Sequence, residues 1–234
     1  ISGGEKTGTF DIVIFKLDSL GNTIWTRQNP SFNTSGSNGG PRIACNEVGD
    51  VFIVYRTTGT SSGGELTGGD DIVVCMLDSS GSTQWTRQSS QFNTIGNDNT
   101  PGIACDNSGY CFVSYTTYGV VSGGETPGNA DIVVLKLDNA GQVDFLKQLN
   151  AFNTSALDNI SAIATDMSGN CYVCYRTSGT VSGGEHTGTD KDIVVFKIGL
   201  AGSVEWVKQQ NIFNTLANDI SPWIACDSYG NSYV

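Results

Sequence analysis

The architecture of this chain is written in Asp131-Ile132-Val133-Val134-Leu135-Lys136-Leu137-Asp138-Asn139-Ala140-Gly141-Gln142-Val143-Asp144-Phe145-Leu146-Lys147-Gln148. From Ile132 to Leu135 the apolar residues are consecutive, not alternate. A strand with one wet face alternates, so this run predicts a strand covered on both sides. Asp138-Asn139-Ala140-Gly141 then predicts a tight turn, its aspartate capping backbone and its glycine taking a positive φ. Val143 to Gln148 returns as a second strand. Upstream, Ile103-Ala104-Cys105 and Cys111 to Tyr115 flank Asp106-Asn107-Ser108-Gly109, a turn of the same kind. Four strands result, A to D in chain order.

The pattern recurs. Asp-Ile-Val begins at Asp11, Asp71, Asp131 and Asp192, Phe-Asn-Thr at Phe32, Phe92, Phe152 and Phe213, and Ile-Ala at Ile43, Ile103, Ile163 and Ile224. Ser-Gly-Gly-Glu ends at Glu5, Glu65, Glu125 and Glu185, a period of 60 residues, and the fourth copy has gained one residue after His186. Internal repetition at this period marks an array of supersecondary units. Short A–B and C–D turns alternate with long B–C and D–A loops, so a four-stranded meander carries the two kinds at opposite ends. Strand A is small (Ala44, Ala104, Ala164, Ala225), which suits a crowded inner strand. Strand D is bulky in one column (Trp25, Trp85, Phe145, Trp206), which suits the wide outer gap between units. The expected fold is all-β, a β-propeller of four-stranded blades. Its expected divisions are a half blade at 1–30, blades at 41–88, 101–148 and 161–209, and a half blade at 220–234. The halves would complete a closed four-bladed ring, with the chain a monomer, or the whole is a segment of a larger propeller.

Ile224-Ala225-Cys226-Asp227-Ser228-Tyr229-Gly230-Asn231-Ser232-Tyr233-Val234, with Asp131 to Gly141, resembles the bacterial SBBP-type β-propeller repeat, whose pattern is I-A-x-D-x-x-G-N-x-Y-V followed by D-x-x-V-x-K-L-D-x-x-G. The resemblance covers all four units and implies architecture, not activity. Asn46 in place of the turn aspartate and Ile198-Gly199 in place of Leu-Asp depart from it, and both are expected to loosen a turn. The Phe-Asn-Thr and Ser-Gly-Gly wording is also similar to uncharacterised repeat proteins of giant DNA viruses, which implies a place at a virion or cell surface.

A net charge of −11 argues against nucleic acid and anionic membranes as partners, since both attract basic patches. No apolar run is long enough to cross a bilayer. The chain begins at Ile1 without a methionine, so it reads as a piece of something longer whose targeting is not legible. Seven cysteines form no repeating pair, which predicts buried, reduced thiols and synthesis in a reducing compartment. Cys171 and Cys174 lie on one strand and face opposite sides, so they cannot share a zinc. The lone His186 reads as loop decoration. Asn33, Asn153 and Asn159 begin N-x-S sequons.

Two acidic columns fall on the long-loop face: Glu5, Glu65, Glu125 and Glu185 before strand C, and Asn38, Asp98, Asp158 and Asp219 before strand A. Either they cap loop backbone or they form a ring of oxygens that holds a hard cation such as calcium. Phe32-Asn33-Thr34 and its copies read as structural, with a repeated sugar site as the alternative. Repeated identical groups do not make an active site, which needs distinct groups in distinct roles. The expectation is therefore a non-enzymatic interaction or structural module that meets a protein or glycan partner on its long-loop face, without a cofactor. A lectin-like glycan-binding propeller is the first alternative and a propeller-based lyase or glycosidase the second. Specificity is expected where the repeats differ: Gly39-Gly40, Pro127, His186 with Lys191, and Trp223.

Overall fold

A computed structural model describes residues 4–125, 128–188 and 190–234. It is all-β, and no helix occurs among the described residues. Three four-stranded antiparallel sheets form in chain order. The first comprises β3 (Asn38–Cys45), β4 (Val51–Thr57), β5 (Asp71–Leu77) and β6 (Thr83–Arg87). The second comprises β7 (Asp98–Cys105), β8 (Cys111–Thr117), β9 (Asp131–Leu137) and β10 (Val143–Lys147), and the third β11 (Asp158–Thr165), β12 (Cys171–Thr177), β13 (Asp192–Ile198) and β14 (Val204–Lys208). They are flanked by two strand pairs, β1 (Ile14–Leu17) with β2 (Thr23–Arg27) and β15 (Ala225–Cys226) with β16 (Ser232–Tyr233). These are β-propeller blades with strands A to D. The terminal pairs remain separate sheets, and no hydrogen-bonded pairing joins β1 to β16.

Every residue of strand C in β5 and β9 is buried, as the unbroken apolar run requires. One face packs on the preceding blade and the other on the next. Thus Val74 shares a cluster with Val113 and Val133, while Val73 and Cys75 pack with Ile12, Ile14 and Trp25.

Strand D docks each blade on the next. The indole N–H of Trp25 donates to the Ser79 carbonyl (3.2 Å) and that of Trp85 to the Asn139 carbonyl (2.9 Å), both in the following C–D turn. Arg27 and Arg87 reach the same turns, donating to the carbonyls of Gly81 and Gly141 (2.9 and 3.0 Å). The expected bulk in the interblade gap is therefore a specific clamp.

The turns keep their shape where the motif departs. Asn46 Oδ1 accepts the Asp50 N–H at 2.9 Å, as an aspartate would. Gly199 lacks a capping side chain, yet its N–H still bonds the Ser203 carbonyl (2.9 Å). Neither turn is loosened, because the backbone bonds of the hairpin persist without the aspartate.

Strand A departs most from expectation. In the three complete blades it begins five residues before the isoleucine, at Asn38, Asp98 and Asp158, and carries a β-bulge, between Gly39 and Arg42, Asn99 and Gly102, and Asn159 and Ala162, whereas in the fourth unit it comprises only Ala225–Cys226. The bulged residues Gly40 (φ 62°), Thr100 (49°) and Ile160 (54°) have a left-handed backbone, and so does Ser221 (56°) at the equivalent place in the fourth unit. For a β-branched residue such as Thr100 or Ile160 this is a strained conformation, of order 1–2 kcal/mol.

Candidate functional site

The predicted residues Asn38, Asp98, Asp158 and Asp219 are occupied by bonds to neighbouring loops and strands. Asp98 is fully buried; the Thr94 N–H donates to its Oδ2 at 2.7 Å, and the hydroxyls of Thr117 and Thr94 also bond the carboxylate. Asp158 is held alike by Thr154, and Asp219 by Thr215. Desolvation pushes the Asp98 carboxyl up to about 7 and that of Asp158 up to about 6, against the lowering effect of those bonds. Asn38 fills this place in the first unit, its Oδ1 accepting from Thr34 and Thr57 (2.7 and 2.8 Å) and its amide donating to the Phe10 carbonyl (3.0 Å).

The glutamates Glu5, Glu65, Glu125 and Glu185 are exposed. Three of them tie the B–C loop to the following D–A loop: Ser90 Oγ donates to Glu65 (2.7 Å), the Asn150 N–H to Glu125 (2.6 Å) and the Asn211 N–H to Glu185 (3.3 Å). The two columns do not converge. Among the described residues no group of three or more His, Cys, Asp or Glu is placed to hold a metal.

The Phe-Asn-Thr motif is internal in the first three units, while Phe213 and Thr215 of the fourth are exposed. Phe32, Phe92 and Phe152 are buried, and each asparagine bridges strand C. Asn93, for example, accepts the Ile72 N–H (2.7 Å) and donates to the Ile72 carbonyl (3.0 Å). A repeated sugar site at this motif has no surface to bind on in the first three units, and the sequons at Asn33 and Asn153 are sequestered. His186 is half-buried, with Nδ1 3.3 Å from Asp192 Oδ2. Pro127 lies outside the described residues. All seven cysteines are free: Cys75, Cys111, Cys171 and Cys174 are buried, Cys105 and Cys226 are partly so, and Cys45 is exposed. Cys171 and Cys174 fall in different core clusters, as their strand spacing predicts.

The chemistry gathers instead at a cavity of about 890 Å³ where the inner strands converge. Its lining runs through consecutive residues, Asn99 to Ile103 and Ile160 to Ile163, with Ser221 to Ile224 from the fourth unit and Gly40, Arg42 and Ile43 from the first. A regular strand shows a cavity only alternate residues. The bulge and its left-handed residue turn the intervening side chains inward, a known use of bulges beside sites. Arg56 and Asp70 complete the wall, paired at 2.7 Å. The guanidinium of Arg42 lies 5.9 Å from the ring centre of Trp223, so the first unit reaches the fourth across this space.

The alanine column expected at the axis does not line the cavity; the isoleucines Ile43, Ile103, Ile163 and Ile224 do. Gly40 and Trp223, expected to carry specificity, lie on it. The sequence signal for this geometry is the proline after the left-handed residue, Pro41, Pro101 and Pro222, since a proline inside a strand marks an edge or a bulge.

No family model and no curated protein matches this chain. Among solved structures it is similar to the Hadza microbial sialidase Hz136, with a TM-score of 0.53 and 12% sequence identity over 87% of this chain and 44% of the sialidase chain. The chain thus spans less than half the length of that protein, and the likeness is one of fold.

Proposed function

We propose that this chain is a non-enzymatic binding module and that the axial cavity is its binding site. One observation carries the reading: the repeats differ where they face the cavity. The column of Arg42 reads Arg42, Gly102, Ala162, Trp223, and the column before the proline reads Gly40, Thr100, Ile160, Ser221. The Asp-Ile-Val, Phe-Asn-Thr and Ser-Gly-Gly-Glu columns, which hold the blades together, scarcely vary. Four copies of one unit thereby line a single asymmetric site at the ends of the strands that carry the long loops.

The other readings have less support. A lectin with one site per blade needs its aromatic motif exposed in every blade, and Phe32, Phe92 and Phe152 are buried. The sialidase likeness raises a glycosidase, whose usual requirement is a pair of carboxylic acids across the bond that breaks. The cavity wall offers one carboxylate, Asp70, engaged by Arg56, and no tyrosine. Membership of a larger surface or virion protein belongs to the proposal too and rests on the resemblance of the repeat wording.

A glycan array and a thermal-shift panel of small organic molecules test the reading with two variants. Ile43→Trp fills the cavity from an exposed wall position, and Glu125→Ala alters a loop away from it. Binders should occupy one site per chain, be lost in Ile43→Trp and persist in Glu125→Ala. A stoichiometry near one per blade, or hydrolysis of an array glycan, would overturn it.

A further inference from the structure

Resting on the cavity as the binding site, we infer that its ligand is a small organic carboxylate with a flat apolar body. On a chain of net charge −11 the cavity carries two guanidinium groups, and Arg56 is neutralised by Asp70 at 2.7 Å. Arg42 has no carboxylate partner among the described residues, and its one hydrogen bond there goes to the Pro41 carbonyl at 3.1 Å. A guanidinium presents a planar fork of donors that matches a carboxylate in two parallel bonds. Set in a concave wall, it also draws anions towards the site.

The body of the ligand follows from what surrounds that fork. Trp223 is 69% exposed, although it is the largest side chain on the wall, and its ring stands beside the Arg42 guanidinium. A flat ring stacks on the indole while its acid group meets the fork. Ile43, Ile103, Ile163 and Ile224 supply apolar surface and few competing hydrogen bonds. The volume lies within the roughly 300–1,000 Å³ range of small-molecule sites. A compact, strongly hydrated anion such as phosphate gains nothing from the indole or the isoleucines.

Isothermal titration calorimetry with 1-naphthoate, its neutral amide 1-naphthamide, and inorganic phosphate separates these elements. The wild-type chain should bind one naphthoate, at least tenfold more tightly than naphthamide or phosphate. Arg42→Gln should abolish the advantage over naphthamide, and Trp223→Leu should weaken both aromatic probes. Arg42 is exposed, so Arg42→Gln should keep its β spectrum in circular dichroism. Equal affinity for naphthoate and naphthamide overturns the carboxylate, and phosphate binding as tight as naphthoate overturns the apolar body; either leaves the cavity as the site. No binding of any probe, with array or panel hits still sensitive to Ile43→Trp, overturns the ligand class alone. Absence of any Ile43→Trp-sensitive binder overturns both.

Discussion

Asp98 and Asp158 keep carboxyl groups inside the protein where their first-unit counterpart is an amide, Asn38, and the difference sets a pH dependence. Their ordinary value is 3.8, and burial raises them to about 7 and about 6. Below 3.8 folded and unfolded chains both hold the proton, and burial carries no ionic penalty. As the pH rises from there towards 7 the unfolded chain releases protons that the folded chain retains, so stability falls. Asp18, Asp78 and Asp227 act in the opposite sense. The side chains of Asn22, Ser80 and Asn231, respectively, hold them below the usual range, so their contribution is present above 3.8 and lost in stronger acid. The thermal midpoint should therefore be higher near pH 5 than near pH 8. Asp98→Asn should raise stability at pH 8 by about 1–2 kcal/mol and flatten that dependence. Its new amide can donate to the Asp70 carbonyl, which occupies the place of the Phe10 carbonyl that Asn38 uses. Urea unfolding at the two pH values checks this, and a variant less stable than wild type at pH 8 would refute it. The acidic columns were legible in the sequence, and so was capping as one reading of them. The inward direction of Asn38, Asp98 and Asp158 was not, because a loop's residue types do not say which way it folds over its own strands.

At the scale of the element, the C–D turn serves two structures at once. Within its blade Asp138 Oδ1 accepts the N–H groups of Ala140 and Gln142 (2.9 and 2.8 Å), which closes the hairpin. Between blades the same turn receives Trp85 and Arg87 from the preceding strand D. Gly141 is therefore constrained twice. Its φ is +72°, and a Cβ there would sit 2.8 Å from the Trp85 ring. Gly123 has the same φ with nothing within 4 Å. Gly123→Ala should cost only the backbone strain, about 1 kcal/mol, whereas Gly141→Ala adds overpacking against a core ring and should cost about 3 kcal/mol. Denaturant midpoints at unchanged slope measure both, and equal losses would show that the clamp is dispensable. The turn was plain from Asp-x-x-Gly. Its second role was not, because the partner stands 54 residues away in the chain.

For the whole molecule, the strand register links the ends. Val51 pairs with Leu77, Phe52 with Met76 and Ile53 with Cys75. The repeat places Ser232 opposite Leu17, Tyr233 opposite Lys16 and Val234 opposite Phe15 wherever these two halves meet. In the structure they stand apart, and Phe15, Leu17, Tyr233 and Val234 are exposed. Exposed apolar strand edges pair with other strands. The 234-residue chain by itself should therefore associate end to end, and Phe15→Lys with Val234→Lys should lower the mass seen by light scattering towards 24.7 kDa. An intact chain that stays monomeric at all concentrations would mean that the two halves meet within one molecule.

The repeat, the strand order, the two kinds of connection and the double burial of strand C are all readable from the amino-acid order. Each of these follows from local rules: an apolar period, an Asp-x-x-Gly turn, and the need of every small sheet to be covered on both faces. The cavity and its lining emerge from the fold alone. The bulge in strand A is stabilised by packing that its own residues do not encode; Thr100 and Ile160 in isolation disfavour the left-handed backbone they adopt. Blades wrapped about an axis over-determine that conformation. Arg42 and Trp223, far apart along the chain, share one wall because their inner strand segments face the same space.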